Sequence, residues 1–264
     1  MTTTSRSRIR SVGRSGATAL IALTLLAPAV LGNGYAGWSA AYEKLGIKGY
    51  IKQPVSPGGN ISTGFISSWI GVCAYDCLEQ PYADGGSGYQ WVQLGMYQGA
   101  LGDVVSTSSV HIYYENEDPC GDYHNLDFGA PPSNPYRFAV WYPGGGTNLY
   151  HCGNGAPYPA YTFNFRKGAT TTPVFAYGHM STIDGRADAN TERSGTPALP
   201  TSNFGCSTSS CGNTAYAIEV LQHNGVDWVN NWSAESRGPA NPPYRHTFVN
   251  YWSFETCATQ SACS

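Results

Sequence analysis

Gln93 sits in the apolar stretch Trp91-Val92-Gln93-Leu94-Gly95, where period-two alternation puts Trp91, Gln93 and Gly95 on one strand face. Solvation alone poorly explains an amide that shares a face with an indole, so this face is a candidate wall of a site. One amide and one carboxylate suffice to hydrolyse a peptide bond. The carboxylate draws a proton from water while the amide N–H steadies the oxyanion. Carboxylates are scarce, with 17 Asp and Glu in 264 residues, which narrows the search for a partner.

Three groups of acids qualify. Glu192 ends the run Arg186-Ala187-Asp188-Ala189-Asn190-Thr191-Glu192, in which Arg186, Asp188, Asn190 and Glu192 share a face. A face of four polar residues is either plain solvent-facing surface or the floor of a groove. Glu219 lies in Tyr216-Ala217-Ile218-Glu219-Val220-Leu221, where alternation groups it with Ala217 and Leu221. An aliphatic setting would raise its pKa, which makes it the second-choice acid, with Arg245 available to neutralise it. Glu115, Glu117 and Asp118 close the aromatic run His111-Ile112-Tyr113-Tyr114-Glu115 and either serve a glycoside hydrolase or rim a hairpin.

Other machinery is missing from the sequence. It contains no Gly-x-Ser-x-Gly elbow, no His-Glu-x-x-His and no phosphate-cradling loop ending in Lys-Ser/Thr. The six histidines lack metal-ligand spacing. Eight cysteines (Cys73, Cys77, Cys120, Cys152, Cys206, Cys211, Cys257 and Cys263) read as disulfides in an exported chain rather than as zinc ligands. Cys73/Cys77, Cys206/Cys211 and Cys257/Cys263 are near enough in sequence to close small loops, although the spacing does not fix the connectivity. The expectation is no metal and no cofactor.

The elements that must hold these residues are strands. Arg6, Arg8, Arg10 and Arg14 precede the apolar run Ala17–Leu26 and the small-residue site Ala27-Pro28-Ala29, so residues 1–29 read as a secretory signal. The mature chain is then extracellular and free of the membrane. Residues 30–60 look like an irregular lead-in broken by Pro54, Pro57, Gly58 and Gly59, and residues 61–264 like a single domain. Short β-like runs recur at 64–72, 89–98, 109–115, 136–142, 160–166, 173–180, 185–192, 214–222, 226–232 and 245–255. No helical period appears after the signal. The pattern predicts an all-β fold: a two-sheet antiparallel sandwich of the concanavalin-like jelly-roll kind with disulfide-pinned loops. A charged fraction of 12% and an aromatic fraction of 13% suit that class. A net charge of −3 and no Lys/Arg run beyond the signal argue against nucleic acid, and a monomer is expected.

Ser68-Trp69-Ile70-Gly71-Val72 followed by Trp91-Val92-Gln93-Leu94-Gly95 resembles the secreted glutamic peptidases (eqolisins), in which a Trp-Val-Gly-Ile strand precedes a Leu-Gln-x-Gly strand carrying a catalytic glutamine. Ile112-Tyr113-Tyr114-Glu115 is similar to that family's Trp-Tyr-Glu-Trp strand. Ala187-Asp188-Ala189-Asn190-Thr191-Glu192, then Asn203-Phe204-Gly205, resembles its Ala-Glu-x-Ile-x-Glu segment and the following Phe-Gly. Plant neprosin-type peptidases are a more distant likeness. The resemblance implies a Gln93/Glu192 dyad that activates water, favours acid and cleaves polypeptides. Trp69, Trp91, Tyr113, Tyr114 and Glu115 would line the substrate groove. The segment departs from the family where Asn190 and Thr191 replace aliphatic residues, and Gly37-Trp38-Ser39 only loosely matches its Asn-Trp-x-Gly strand.

Two rivals remain. A non-catalytic, lectin-like protein would use the same aromatics to stack polysaccharide and would need neither Gln93 nor Glu192. A glycosidase would depend on Glu115 and Glu117, but residues 115–118 read Glu-Asn-Glu-Asp, without the Glu-x-Asp-x-x-Glu strand of laminarinase-like sandwiches.

Overall fold

A computed structural model describes residues 34–40, 44–52, 61, 64–75, 80–81, 87–153, 157–183, 185–194, 214–222, 224–229, 234–235, 245–250 and 253–257. The proposed signal, the Asn203-Phe204-Gly205 segment and Cys77, Cys206, Cys211 and Cys263 lie outside these residues. Among the described residues no helix is long and apolar enough to cross a membrane.

In chain order the strands are β1 (Gly34–Ala40), β2 (Lys44–Lys52), β3 (Phe65–Ala74), β4 (Gln80–Pro81), β5 (Ser87–Gly88), β6 (Trp91–Leu101), β7 (Val104–Glu117), β8 (Tyr123–Asp127) and β9 (Tyr136–Trp141). They continue as β10 (Asn148–His151), β11 (Pro157–Lys167), β12 (Ala176–Met180), β13 (Gly185–Ser194), β14 (Thr214–Gln222), β15 (Trp228–Val229), β16 (Ala234–Glu235), β17 (Arg245–Asn250) and β18 (Ser253–Cys257). One sheet runs β16-β1-β13-β3-β6-β7-β8, and the other β10-β11-β9-β2-β14-β18-β17 with β12 on β11 and β15 on β14. Every strand pairing among the described residues is antiparallel. The result is an all-β jelly-roll sandwich.

Alternation decides what lies between the sheets. Ile70, Val72, Val92, Leu94, Met96, Ile112, Ala187 and Ala189 of the first sheet meet Ile47, Ile51, Phe138, Val140, Phe163, Phe165, Ile218 and Val220 of the second in one core. The intervening residues of the first sheet therefore face outward, among them Gln93, Glu115, Asp188, Asn190 and Glu192.

One expectation is corrected. Residues 34–40 and 44–52 are not an irregular lead-in: β1 pairs with β13, and β2 sits between β9 and β14. The burial pattern of β2 explains this, since Leu45, Ile47, Gly49 and Ile51 alternate inward behind a row of lysines. Cys120 and Cys152, both expected to be disulfide-bonded, bridge each other across 32 positions. This link ties the β7–β8 turn to the β10 hairpin. Cys73 is also disulfide-bonded.

Candidate functional site

The register of the first sheet lays its outer face out in rows. Asp188, Gly71, Gln93, Glu115 and Asn125 stand opposite one another across β13, β3, β6, β7 and β8. The next row on the same face holds Asn190, Trp69, Gly95, Tyr113 and Asp127. The row after that holds Glu192, Ser67, Tyr97 and His111. Gln93 and Glu192 thus share a sheet and a face. They are two strands apart and offset by four residues, roughly 10 Å across and 13 Å along at ordinary strand spacings.

This face is not solvent surface. Gln93, Glu115, Asp188, Asn190 and Glu192 are all buried, and Trp69, Tyr97 and Tyr113 join Phe65 and Leu101 in a second apolar cluster among them. Two glycines keep the floor low. A Cβ on Gly71 would fall 2.6 Å from the Val92 carbonyl oxygen and 2.8 Å from Gln93 Cβ, and one on Gly95 would fall 2.1 Å from the Ser68 carbonyl oxygen. Between Asp188 and Gln93, and between Trp69 and Tyr113, the sheet is bare backbone.

Gln93 is held from its β7 side. Its amide Nε2 donates to Glu115 in a very short contact and lies 3.4 Å from the Tyr113 hydroxyl. The Tyr123 hydroxyl donates to the other oxygen of Glu115, also at very close range. Burial pushes the Glu115 carboxyl up to about 7, against the pull of the Tyr123 and Gln93 hydrogen bonds. Burial likewise lifts the Tyr113 phenol well above its ordinary value, and the nearby carboxylates of Glu115 and Glu192 lift it further. Tyr113 therefore stands between the two acids and stays neutral. Its row lies between those of Gln93 and Glu192 and spans part of their offset.

The carboxylates of β13 differ in setting. Asp188 is 1% exposed and lies 3.2 Å from Arg186 Nε, two residues back on the same face. Glu192 is 7% exposed, at the other end of the strand. Behind Glu192, Thr191 points inward and donates to the Tyr216 hydroxyl at 2.6 Å, which in turn donates to the Asn190 carbonyl at 2.6 Å. That network gives a polar residue a place in the core and pins β13 to the second sheet. It accounts for threonine where the resemblance leads one to expect an aliphatic side chain.

Beyond Tyr97 a hydrogen-bond chain fixes the end of the face. Asp127 accepts from the Tyr97 hydroxyl at 2.7 Å, the Gly129 amide at 2.6 Å and His111 Nδ1 at 2.8 Å, while His111 Nε2 meets Ser109 Oγ at 3.0 Å. In a neutral imidazole whose Nδ1 proton goes to Asp127, Nε2 accepts from Ser109. Burial opposes ionisation of Asp127, but the Tyr97, Gly129 and His111 hydrogen bonds hold its pKa below the ordinary value.

Other expectations divide. Trp69, Tyr113 and Glu115 lie on the face with Gln93, as does Trp91, which packs 6.3 Å from Tyr123. Tyr114 does not line it. It is out of phase by one residue, so it points into the core against Phe165 at 5.1 Å and Phe128 at 6.1 Å. Glu219 is no buried acid either. It stands half-exposed on the outer face of the second sheet, 2.8 Å from Lys48, because Ile218 and Val220 take the inward positions of β14. Among the described residues, Asp118, Asp122 and His124 come close enough to suggest a metal cluster. The Asp118 carboxylate is instead filled by the Cys120 and Asp122 amides, the Tyr150 hydroxyl and His124, so it organises the loop that the disulfide closes. Tyr123 was missed in the sequence. Its signal was its place opposite Glu117, two residues along β8 from the partner of Glu115.

No family model matches this sequence, and no curated protein matches it. Among solved structures, the chain is similar to a crystal structure of scytalido-glutamic peptidase with a transition state analog inhibitor, at 12% identity and a TM-score of 0.44, covering 84% of this chain and 97% of that one. It is also similar to SCP-B, described as a member of the eqolisin family of peptidases in a complex with the tripeptide Ala-Ile-His, at 10% identity and a TM-score of 0.40, covering 84% and 96%.

Proposed function

We propose that this chain is a secreted endopeptidase that hydrolyses polypeptides on the outer face of its first sheet, with Glu192 and Gln93 as the working pair. The observation that carries this reading is the register. It gathers an amide, a phenol and acids from three strands on one buried face, over two bare glycines.

Glu192, as carboxylate, takes a proton from a water molecule, and the water oxygen forms a bond to the scissile carbonyl carbon. The carbonyl π-pair moves onto oxygen, and this oxyanion accepts hydrogen bonds from Tyr113 and the Gln93 amide. Collapse of the tetrahedral intermediate breaks the C–N bond, and Glu192 returns its proton to the departing amine. Asp188 is less suited to the base role, because its carboxylate already pairs with Arg186 Nε at 3.2 Å. No metal or cofactor enters these steps.

Glu115 gives the site a reason to favour acid. Ionised, it can only accept, and it captures an amide hydrogen of Gln93. Protonated below about 7, with one oxygen receiving from Tyr123, it donates from the other to the Gln93 amide oxygen. The amide then turns its N–H groups toward the substrate. Activity falls as Glu115 ionises.

The test is digestion of denatured casein by the purified mature protein across acid and neutral pH, followed by mass spectrometry. The reading expects cleavage strongest at about pH 3–5 and abolished by Gln93→Ala and by Glu192→Ala. Wild-type protein that leaves casein intact at every pH would sink it.

A further inference from the structure

The outer face of the second sheet has the opposite character. Lys44, Lys48 and Lys52 alternate outward along β2, Arg137 stands opposite Tyr50 on β9, and Arg166 of β11 lines up through Ala139 with Lys48. These five are half of the Lys and Arg residues that follow residue 29. Scattered along the sequence, they form no run, and only the pairing of β2, β9 and β11 collects them.

Their centre is a depression of about 350 Å³ whose walls include Lys48, Arg137, Arg166, Trp141 and Trp228. Each indole carries a cation. Lys48 Nζ lies 4.2 Å from the Trp228 ring centre, and Arg166 Cζ lies 4.7 Å from that of Trp141. Lys48 is also neutralised by Glu219 at 2.8 Å. Among the described residues neither Arg137 nor Arg166 has a carboxylate within ion-pair distance. Arg166 Nε is buried there with no hydrogen-bond partner among the described residues. A buried guanidinium N–H without an acceptor is unfavourable until an oxygen reaches it.

We propose that this depression binds an acidic saccharide, a uronate unit whose carboxylate pairs with Arg166 and Arg137 while its pyranose ring packs against Trp141 and Trp228. A planar guanidinium matches a carboxylate in a two-point fork. The flat C–H face of a sugar covers an indole, which an aspartate or glutamate side chain cannot do. The volume is at the small end of the ~300–1,000 Å³ typical of ligand pockets, enough for a short saccharide and too little for a folded partner. This site shares no residue with the hydrolytic face and lies across the core from it, so it stands whether or not the chain cleaves peptides. In a peptidase it would hold the enzyme on an acidic polysaccharide.

The experiment is titration calorimetry at low salt with tri-galacturonate, a neutral galactose trisaccharide and tri-glutamate. The result expected is saturable binding of tri-galacturonate alone. It should weaken on the order of tenfold in Arg166→Gln and in Arg137→Gln, weaken in high salt, and stay unchanged in Glu192→Gln. Trp141→Leu, which keeps every charge, should weaken it as well. No saturable binding, equal binding of tri-glutamate or of the neutral trisaccharide, or undiminished binding by the arginine variants at unchanged melting temperature would overturn the proposal.

Discussion

The two outer faces of this sandwich are built by the same alternation and carry opposite chemistry. On the first sheet the outward positions hold Asp188, Glu192, Glu115 and Gln93, and they are buried. On the second they hold Lys48, Arg137, Arg166 and Glu219, each in contact with solvent or an open depression. Burial makes the difference. Buried beside Tyr113, the Glu115 carboxyl rises to about 7. Cations on an open face are available to attract an anion. The first face suits proton transfer and the second suits binding.

That contrast can be broken in several ways. The largest effect belongs to Gln93→Ala, which should lower kcat/KM on casein by roughly 10³-fold, while Arg166→Gln leaves it within about twofold. Equal losses in the two variants would erase the distinction between the faces. Tyr113→Phe removes one hydroxyl and should lower kcat by about 10–100-fold with little change in KM and in melting temperature. A loss explained wholly by unfolding would make Tyr113 a packing residue instead. Gly95→Ala sets a Cβ 2.1 Å from the Ser68 carbonyl oxygen, so the strands must part. Denaturant unfolding should show a loss of about 1–3 kcal/mol.

Glu115→Gln acts through pH. The folded pKa lies above the unfolded one, so the stability that Glu115 contributes is complete below its ordinary value of 4.5 and is lost as pH rises to about 7. The wild-type melting temperature should therefore fall across that window and the variant's should fall less. A glutamine that keeps the Gln93 amide turned outward should also extend activity into neutral pH. An unchanged alkaline limb would detach Glu115 from the reaction. The smallest effect is that of Glu219→Gln, whose half-exposed pair with Lys48 is worth about 0–1 kcal/mol in thermal unfolding.

Much of this was legible in the residues. Alternation in 91–97 and 186–192 correctly assigns faces, because each strand has one apolar side that must reach the core. The same rule applied to Tyr114 would have turned it inward, but its aromatic neighbour Tyr113 drew both into one groove. Burial of the polar face was not legible, because it depends on Trp69, Tyr97 and Tyr113 crossing from three strands whose pairing is long-range. The register between Gln93 and Glu192 was hidden for the same reason. β1 and β2 were missed since glycine and lysine dilute their strand signal, and only Leu45, Ile47 and Ile51 betray β2. Lysines and arginines that look dispersed in sequence become a cluster only once β2, β9 and β11 are side by side.

The most direct test of the account compares Glu192→Gln with Asp188→Asn in initial rates of casein cleavage at about pH 4. Asp188 is level with Gln93 but paired with Arg186, whereas Glu192 is offset along β13 and more open. The account predicts that Glu192→Gln removes cleavage while Asp188→Asn retains a measurable rate. An active Glu192→Gln enzyme beside a dead Asp188→Asn one would contradict it.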